Sequence, residues 1–229
     1  NVNNNTLFQF EAGQYITIKK DINGEEVRRA YSICSMNSEG VTIGVKKVET
    51  GRMSSFLTQS VKEGDVLNVM PPSGNFVIKG DNKHIVGICA GSGVTPIIAM
   101  IKTELAKPSD AKFTLIYGNK TKDSSMFAEE LHQLQINNSD RLKIHNAYSR
   151  EGVAGAINGR LDKNTIQQLL NTFMSLKTAD AYFICGPGEL IDNTNELLLL
   201  NNINQKKINF ERFTTVEKTD VIDIDSDEI

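Results

Sequence analysis

His84-Ile-Val-Gly-Ile-Cys89 is a nearly continuous apolar run. It leads into a glycine-rich turn, Gly91-Ser92-Gly93-Val94-Thr95-Pro96, and then into a helical pattern carried by Ile97, Ile98, Ile101 and Leu105. No other stretch constrains the fold so strongly. A strand without polar alternation must be covered on both faces, which points to a parallel sheet between layers of helices. The chain beyond it keeps the same rhythm. Strand patterns at Phe113–Tyr117, Leu142–Tyr148, Ala181–Cys185 and Ile208–Phe210 alternate with helical patterns over Phe127, Leu131 and Leu134, over Leu161–Phe173, and over Leu190, Leu197 and Leu200. Strands alternating with helices of about ten to fifteen residues predict a doubly wound parallel α/β domain over residues 81–213.

Residues 1–80 have a different texture. Tyr15–Lys19, Val41–Val45, Val66–Val69 and Phe76–Ile78 read as short strands, separated by Gly13, Asn23-Gly24, Gly40, Gly64 and Pro71-Pro72. Short strands with turn residues between them predict a small antiparallel β-barrel. Residues 214–229 read as an acidic linker or the start of a further domain, with five carboxylates from Asp220 onward.

Composition narrows the function classes. A formal charge of −3 argues against a nucleic-acid binder. No apolar run approaches the ~20 residues that span a bilayer. Cys34, Cys89 and Cys185 are odd in number and widely spaced, as expected of free thiols in a reducing, cytoplasmic setting. His84, His132 and His145 have no ligand spacing with them, so no metal site is expected.

Six segments carry candidate chemistry. Arg29 and Tyr31 lie two apart on a strand and share a face. The guanidinium could fork onto a pyrophosphate, Tyr31 could lie against a flat heterocycle and Ser32 could bond a ring edge. An exposed arginine beside a core tyrosine is the plainer alternative. Gly51-Arg52-Met53-Ser54-Ser55 precedes a short helical pattern, which suits either an anion at a helix start or a simple serine cap. Gly91, Gly93 and Pro96 sit between a buried strand and a helix, the setting of a dinucleotide pyrophosphate loop, with Pro96 where the usual fingerprint has its third glycine. Ser149-Arg150, Asn119-Lys120 and Cys185-Gly186-Pro187 all fall at strand carboxyl ends, where open α/β sheets bind ligands.

Taken in this order, these segments resemble the ferredoxin–NADP reductase superfamily. The likeness runs from Phe10 to Phe213 and is closest to the reductase components of multicomponent oxygenases, of the phenylacetyl-CoA oxygenase reductase type. The resemblance implies FAD in the barrel, held by Arg29, Tyr31, Ser32, Val45, Gly51, Met53, Ser54 and Ser55, with Thr95 approaching the flavin. It implies NADPH on the second domain, held by Gly91, Gly93, Thr95, Pro96, Asn119, Lys120, Ser149, Arg150, Cys185, Gly186 and Pro187. Ser32, Cys185, Glu211 and Phe213 would surround the reacting rings, Phe213 and Glu211 covering the flavin's other face. Hydride would pass from NADPH to FAD, and single electrons onward to a ferredoxin-like domain or an oxygenase component. An NADH-linked reductase module of the flavohaemoglobin type, or a non-catalytic flavin- or nucleotide-binding module, is the alternative.

Two departures accompany the likeness. The first one or two barrel strands are expected to be missing from this chain. The Cys-x₄-Cys-x₂-Cys run of a plant-type [2Fe–2S] domain is absent, so that cluster is expected only in a domain outside this chain.

Overall fold

The computed structural model of the chain describes residues 6–213. The first sheet is antiparallel. Strand β1 (Tyr15–Ile22) pairs along its whole length with β2 (Glu25–Ser32), and β3 (Asn68–Val69) pairs with β1 on its other side. The β1–β2 hairpin closes through Asn23 at φ 60° and Gly24 at φ 80°, the Asn-Gly turn whose twist matches antiparallel strands. Helix α1 (Arg52–Gln59) packs on both strands. Phe10, Ile16, Ile18, Val27, Ile33 and Met53 form the core beneath them.

The second sheet has six strands, all parallel. β4 (His84–Ala90), β5 (Lys112–Asn119), β6 (Leu142–Tyr148), β7 (Ile157–Asn158), β8 (Ala181–Gly186) and β9 (Ile208–Arg212) lie in the order β7-β6-β5-β4-β8-β9. Helices α2 (Val94–Ala106) and α3 (Ala128–Asn137) contribute to the core on one face. α4 (Lys163–Thr172) and α5 (Gly188–Leu200) contribute to the core on the other. β4 is central and buried on both faces, as its unbroken apolar run requires. The strand order reverses at β4: the chain moves outward through β5 to β7, then crosses back to β8. This topological switch opens a crevice at the strand carboxyl ends.

Two expected strands are not strands. Val41–Val45 makes a single bridge, Ile43 to Ile33, because the Ser35 hydroxyl takes the Thr42 amide that a longer ladder would use. Phe76–Ile78 is irregular. Phe76 leaves the first sheet's core and packs edge-on against Phe183 of β8, with ring centroids 5.3 Å apart. The two sheets share no hydrogen-bonded strand, yet their cores meet there. The two-residue strand β7 was not expected. α4 begins at Lys163 rather than Leu161 because Asp162 caps it, accepting the Thr165 amide at 2.8 Å. The acidic segment from residue 214 lies outside the described residues. Among those described, no helix is long and apolar enough to cross a membrane.

Arg141 holds the far end of α2. Its guanidinium donates to the Glu104 and Leu105 carbonyls at 2.8 and 3.0 Å, in the last turn of the helix, and to the Ala111 carbonyl of the following loop at 3.1 Å. Arg141→Ala is expected to lower the unfolding free energy by about 2–3 kcal/mol, the value of hydrogen bonds made by a charged group. A urea titration would show the loss as a lower midpoint with unchanged slope.

Candidate functional site

The site is built where β4 ends. Gly91 takes φ +56°, a left-handed conformation that glycine adopts without cost. A methyl group at Gly91 would meet nothing within 4 Å, so this turn of the loop faces open space. Gly93 has the opposite surroundings: a Cβ there would overlap the Cys185 carbonyl at the end of β8. The loop can thus press onto β8 only with hydrogen at that position. Tyr117 supports the loop from below, its hydroxyl donating to the Gly91 carbonyl at 3.1 Å. The Thr95 hydroxyl donates back to the Ser92 carbonyl at 2.9 Å. The first turn of α2 has no side-chain cap, and its dipole favours an anion in front of it.

A cleft of about 750 Å³ lies in front of this loop. Gly91, Asn119, Lys120, Ser149, Gly186, Pro187 and Phe213 line it, all expected from the sequence. Gly93, Thr95, Pro96 and Cys185 are buried behind the lining residues. Arg150 is exposed beside Ser149, and its amide is tied to the Lys120 carbonyl at 2.9 Å. The Asn119 side chain is buried with neither polar atom in a well-formed hydrogen bond, although it lies beside the Tyr117 hydroxyl, which is 3.1 and 3.3 Å from the Gly91 and Met126 carbonyls.

Lys46 and Arg160 also line the cleft, and sequence reasoning missed both. Arg160 follows β7, and a two-residue strand leaves no periodicity to mark its carboxyl end. Lys46 comes from the first eighty residues and reaches the cleft only through tertiary packing, donating to the Ser124 carbonyl at 3.0 Å. Burial, and then the charge of Lys120, pushes its ammonium below the ordinary lysine range. Neither lysine lies in an ion pair among the described residues. Two cations close together beside uncapped amides favour an anionic ligand.

The ends of β2 and β9 meet beside the cleft. The Ser32 hydroxyl donates to Glu211 Oε2 at 3.4 Å. Burial pushes the Glu211 carboxyl up to about 7, the Ser32 bond pulling weakly the other way. Burial, with Glu211 and Cys89 adding to it, raises the Cys185 thiol so far that it stays protonated. It is a neutral, close-packed group and not a nucleophile.

The remaining first-sheet residues form a second cluster. Tyr31 is half-buried, and the Arg29 charge lies near enough to act on its hydroxyl. Arg29 is exposed and spends only one bond, Nη1 to the Arg28 carbonyl at 2.7 Å. α1, packed on β2, has no side-chain cap at Gly51. The Ser54 hydroxyl is engaged within the turn, accepting from the Val48 amide and donating to the Gly51 carbonyl, both at 3.1 Å. Met53 is buried in the core, and Val45 and Ser55 are partly buried. A free guanidinium, a half-buried tyrosine and an uncapped helix start form a donor set that fits a flavin nucleotide. The cleft, with its poorly bonded amide and cations, fits a second dinucleotide.

Gly93→Ala tests the loop's close approach. Its backbone is in the ordinary helical region, at φ −61°, so alanine would cost only space. The expected loss is about 1–3 kcal/mol of stability, as for overpacking, read from denaturant midpoints. A variant as stable as the parent would mean that β8 yields at no cost.

Comparisons with known proteins agree with this geometry. An oxidoreductase FAD-binding domain model matches residues 2–78, and an oxidoreductase NAD-binding domain model matches residues 88–196. The chain is 35% identical over 213 residues to one component of the 1,2-phenylacetyl-CoA epoxidase of Escherichia coli K12, covering 91% of this chain and 60% of that one. It is 29% identical to the ferredoxin reductase component of 3-ketosteroid-9-alpha-monooxygenase from Rhodococcus rhodochrous, covering 91% and 57%. The chain thus spans just over half the length of these relatives. Among solved structures, the FAD/NAD-binding domain of nitric oxide dioxygenase from Vibrio cholerae superimposes with a TM-score of 0.80 at 24% identity, covering 90% of this chain and 86% of that one. A ferredoxin NADP+ reductase from Neisseria gonorrhoeae with bound FAD and NADP gives 0.71 at 19%, covering 91% and 89%. With both domain models matched in sequence, the chain carries an oxidoreductase FAD-binding domain followed by an oxidoreductase NAD-binding domain, in a fold that it shares with ferredoxin NADP+ reductase.

Proposed function

We propose that this chain is an NADPH-dependent flavin reductase that serves as the electron-transfer component of an oxygenase. The observation that carries the reading is the Ser32–Glu211 contact, which joins the flavin-side strand to the nucleotide-side sheet next to Cys185. Bound FAD would supply the acceptor for the hydride of NADPH and a one-electron outlet. Arg29 and the first turn of α1 would hold its pyrophosphate, and Tyr31 would lie against its ring. Gly91, Gly93 and the start of α2 would take the dinucleotide's pyrophosphate, with Lys46 and Lys120 neutralising charge. Cys185, Gly186 and Pro187 would shape the nicotinamide pocket. Phe213, 41% exposed at the cleft, would shield the ring until nicotinamide enters. Alignment of the two rings and exclusion of water are the protein's contribution.

Ser149 on the cleft wall with Arg150 beside it supports a 2′-phosphate and hence NADPH. The carboxylates of Asp162 and Glu189, also on the cleft wall, favour the second reading, an NADH-linked module, since an acidic group bonds a ribose 2′-hydroxyl. The two readings separate in one experiment. Protein reconstituted with FAD is mixed anaerobically with NADPH or NADH and flavin bleaching is followed. Bleaching by NADPH is expected. Arg150→Ala should weaken NADPH binding roughly ten- to a hundredfold, the value of one charged hydrogen bond, and leave NADH nearly unaffected. Equal losses would exclude Arg150 from the 2′-phosphate. No bleaching with either donor would sink the reductase assignment.

Glu211 makes a prediction that needs no cofactor. Its folded carboxyl sits near 7 against an ordinary 4.5, so folding favours the protonated form. That stabilisation is complete below about pH 4.5 and is lost as the pH rises through about 7. Glu211→Gln should therefore flatten the decline of the unfolding midpoint across this window. An unchanged slope would show that Glu211 ionises freely in the fold.

A further inference from the structure

Phe127 is the one aromatic residue among those described with a left-handed backbone, φ 57° and ψ 23°, at the start of α3. A bulky side chain rarely sits there unless its surroundings hold it. Its ring packs on the apolar cluster of one face of the parallel sheet and reaches the first eighty residues at Gly44. A Cβ built on Gly44 would lie 2.8 Å from Phe127 Cζ, 2.9 Å from Thr95 Cγ2 and 3.0 Å from Met126 Cε. The ring tip and two methyl groups from the nucleotide side thus converge on one glycine Cα. Gly44 follows Ile43, whose bridge to Ile33 places it next to Ser32 in the sheet.

The segment leading to Phe127 is stiff. Thr121 and Ser124 exchange backbone-to-hydroxyl bonds at 3.0 and 3.2 Å, and the Ser124 hydroxyl closes on the Thr121 carbonyl at 2.9 Å. The Lys122 amide donates to Glu151, the Ser124 carbonyl accepts from Lys46, and the Met126 carbonyl accepts from Tyr117. One end of this segment borders the nucleotide cleft and the other abuts Gly44.

We propose that residues 121–127 form a rigid spacer between the flavin-side and nucleotide-side domains, with Phe127 as the positioning residue whose ring, seated on Gly44, sets the distance across which hydride moves. The catalytic part rests on the reductase reading above; the mechanical part does not. In that step the dinucleotide loses a hydride and the flavin gains it, so only the separation of the two rings changes with the spacer.

Gly44→Ala is the test. Gly44 has no left-handed backbone, so alanine adds a wedge without strain. Phe127→Leu removes the Cζ, the nearest of the three atoms the wedge meets, and so relieves it in part. In cofactor-free protein, amide exchange over residues 121–127 should quicken in Gly44→Ala and slow again in the double variant. In FAD-loaded protein, single-turnover flavin reduction at saturating NADPH should fall at least about tenfold in Gly44→Ala, by more than any loss of FAD or NADPH affinity, and recover in part in the double variant. Parental exchange and parental rate in Gly44→Ala would overturn the proposal. So would a loss of rate that merely tracks lost cofactor affinity, or one that Phe127→Leu does not restore even in part. If the parent itself is not reduced by either dinucleotide, the reductase reading fails, and the exchange data alone judge the spacer.

Discussion

The contact on which the site depends is the approach of Gly93 to the Cys185 carbonyl. It brings the end of β4 and the start of α2 against the end of β8, where the strand order reverses. Without it the loop would stand off the sheet, and the uncapped first turn of α2 would face a wider opening. The same contact leaves Gly91 turned toward open space. Two glycines two residues apart therefore do opposite work: one removes bulk from a packed junction, the other lets the chain turn toward the cleft. Pro96 completes the device, because a proline in the first helical turn gives up an amide that has no intrahelical partner anyway.

The parallel sheet was legible in the sequence because its physics is local. A strand buried on both faces needs a nearly continuous apolar run; β4 and β8 each have one, and β5 is interrupted only by Thr114 between its ends. The glycine loop was legible for the same reason, since strand, turn and helix are contiguous. The first eighty residues were harder. Val41–Val45 alternates as a strand should, but a serine hydroxyl intercepts its ladder. Phe76 looks like a strand residue and serves instead as a plug against Phe183. Local pattern does not report which sheet a side chain will pack against.

The candidate site divides along the same line. Ser149, Asn119 and Pro187 could be placed in the cleft because strand carboxyl ends are recognisable positions. Lys46 could not, since it lies more than seventy residues from its partner Ser124, in an irregular stretch of the first eighty residues. Arg160 escaped because β7 is too short to announce itself. Ser54 shows the reverse case. Its position suited a phosphate ligand or a helix cap, yet its hydroxyl closes the Val48–Gly51 turn.

Three unfavourable features of the fold lie close to one another, while the unpartnered Thr194 and Asn195 oxygens lie elsewhere on α5. The poorly bonded Asn119 amide, the mutually repelling Lys46 and Lys120, and the left-handed Phe127 all belong to the cleft wall or the segment that adjoins it. A buried amide without partners costs about 1–3 kcal/mol, and a strained residue a similar amount. Apolar clusters on both faces of the parallel sheet offset these costs. Such a distribution has a consequence for binding. A ligand that neutralises the lysines relieves part of what the fold leaves unfavourable, whereas Phe127 keeps its backbone conformation because packing fixes its ring. Affinity is thus assigned to the cleft wall and geometry to the segment that adjoins it.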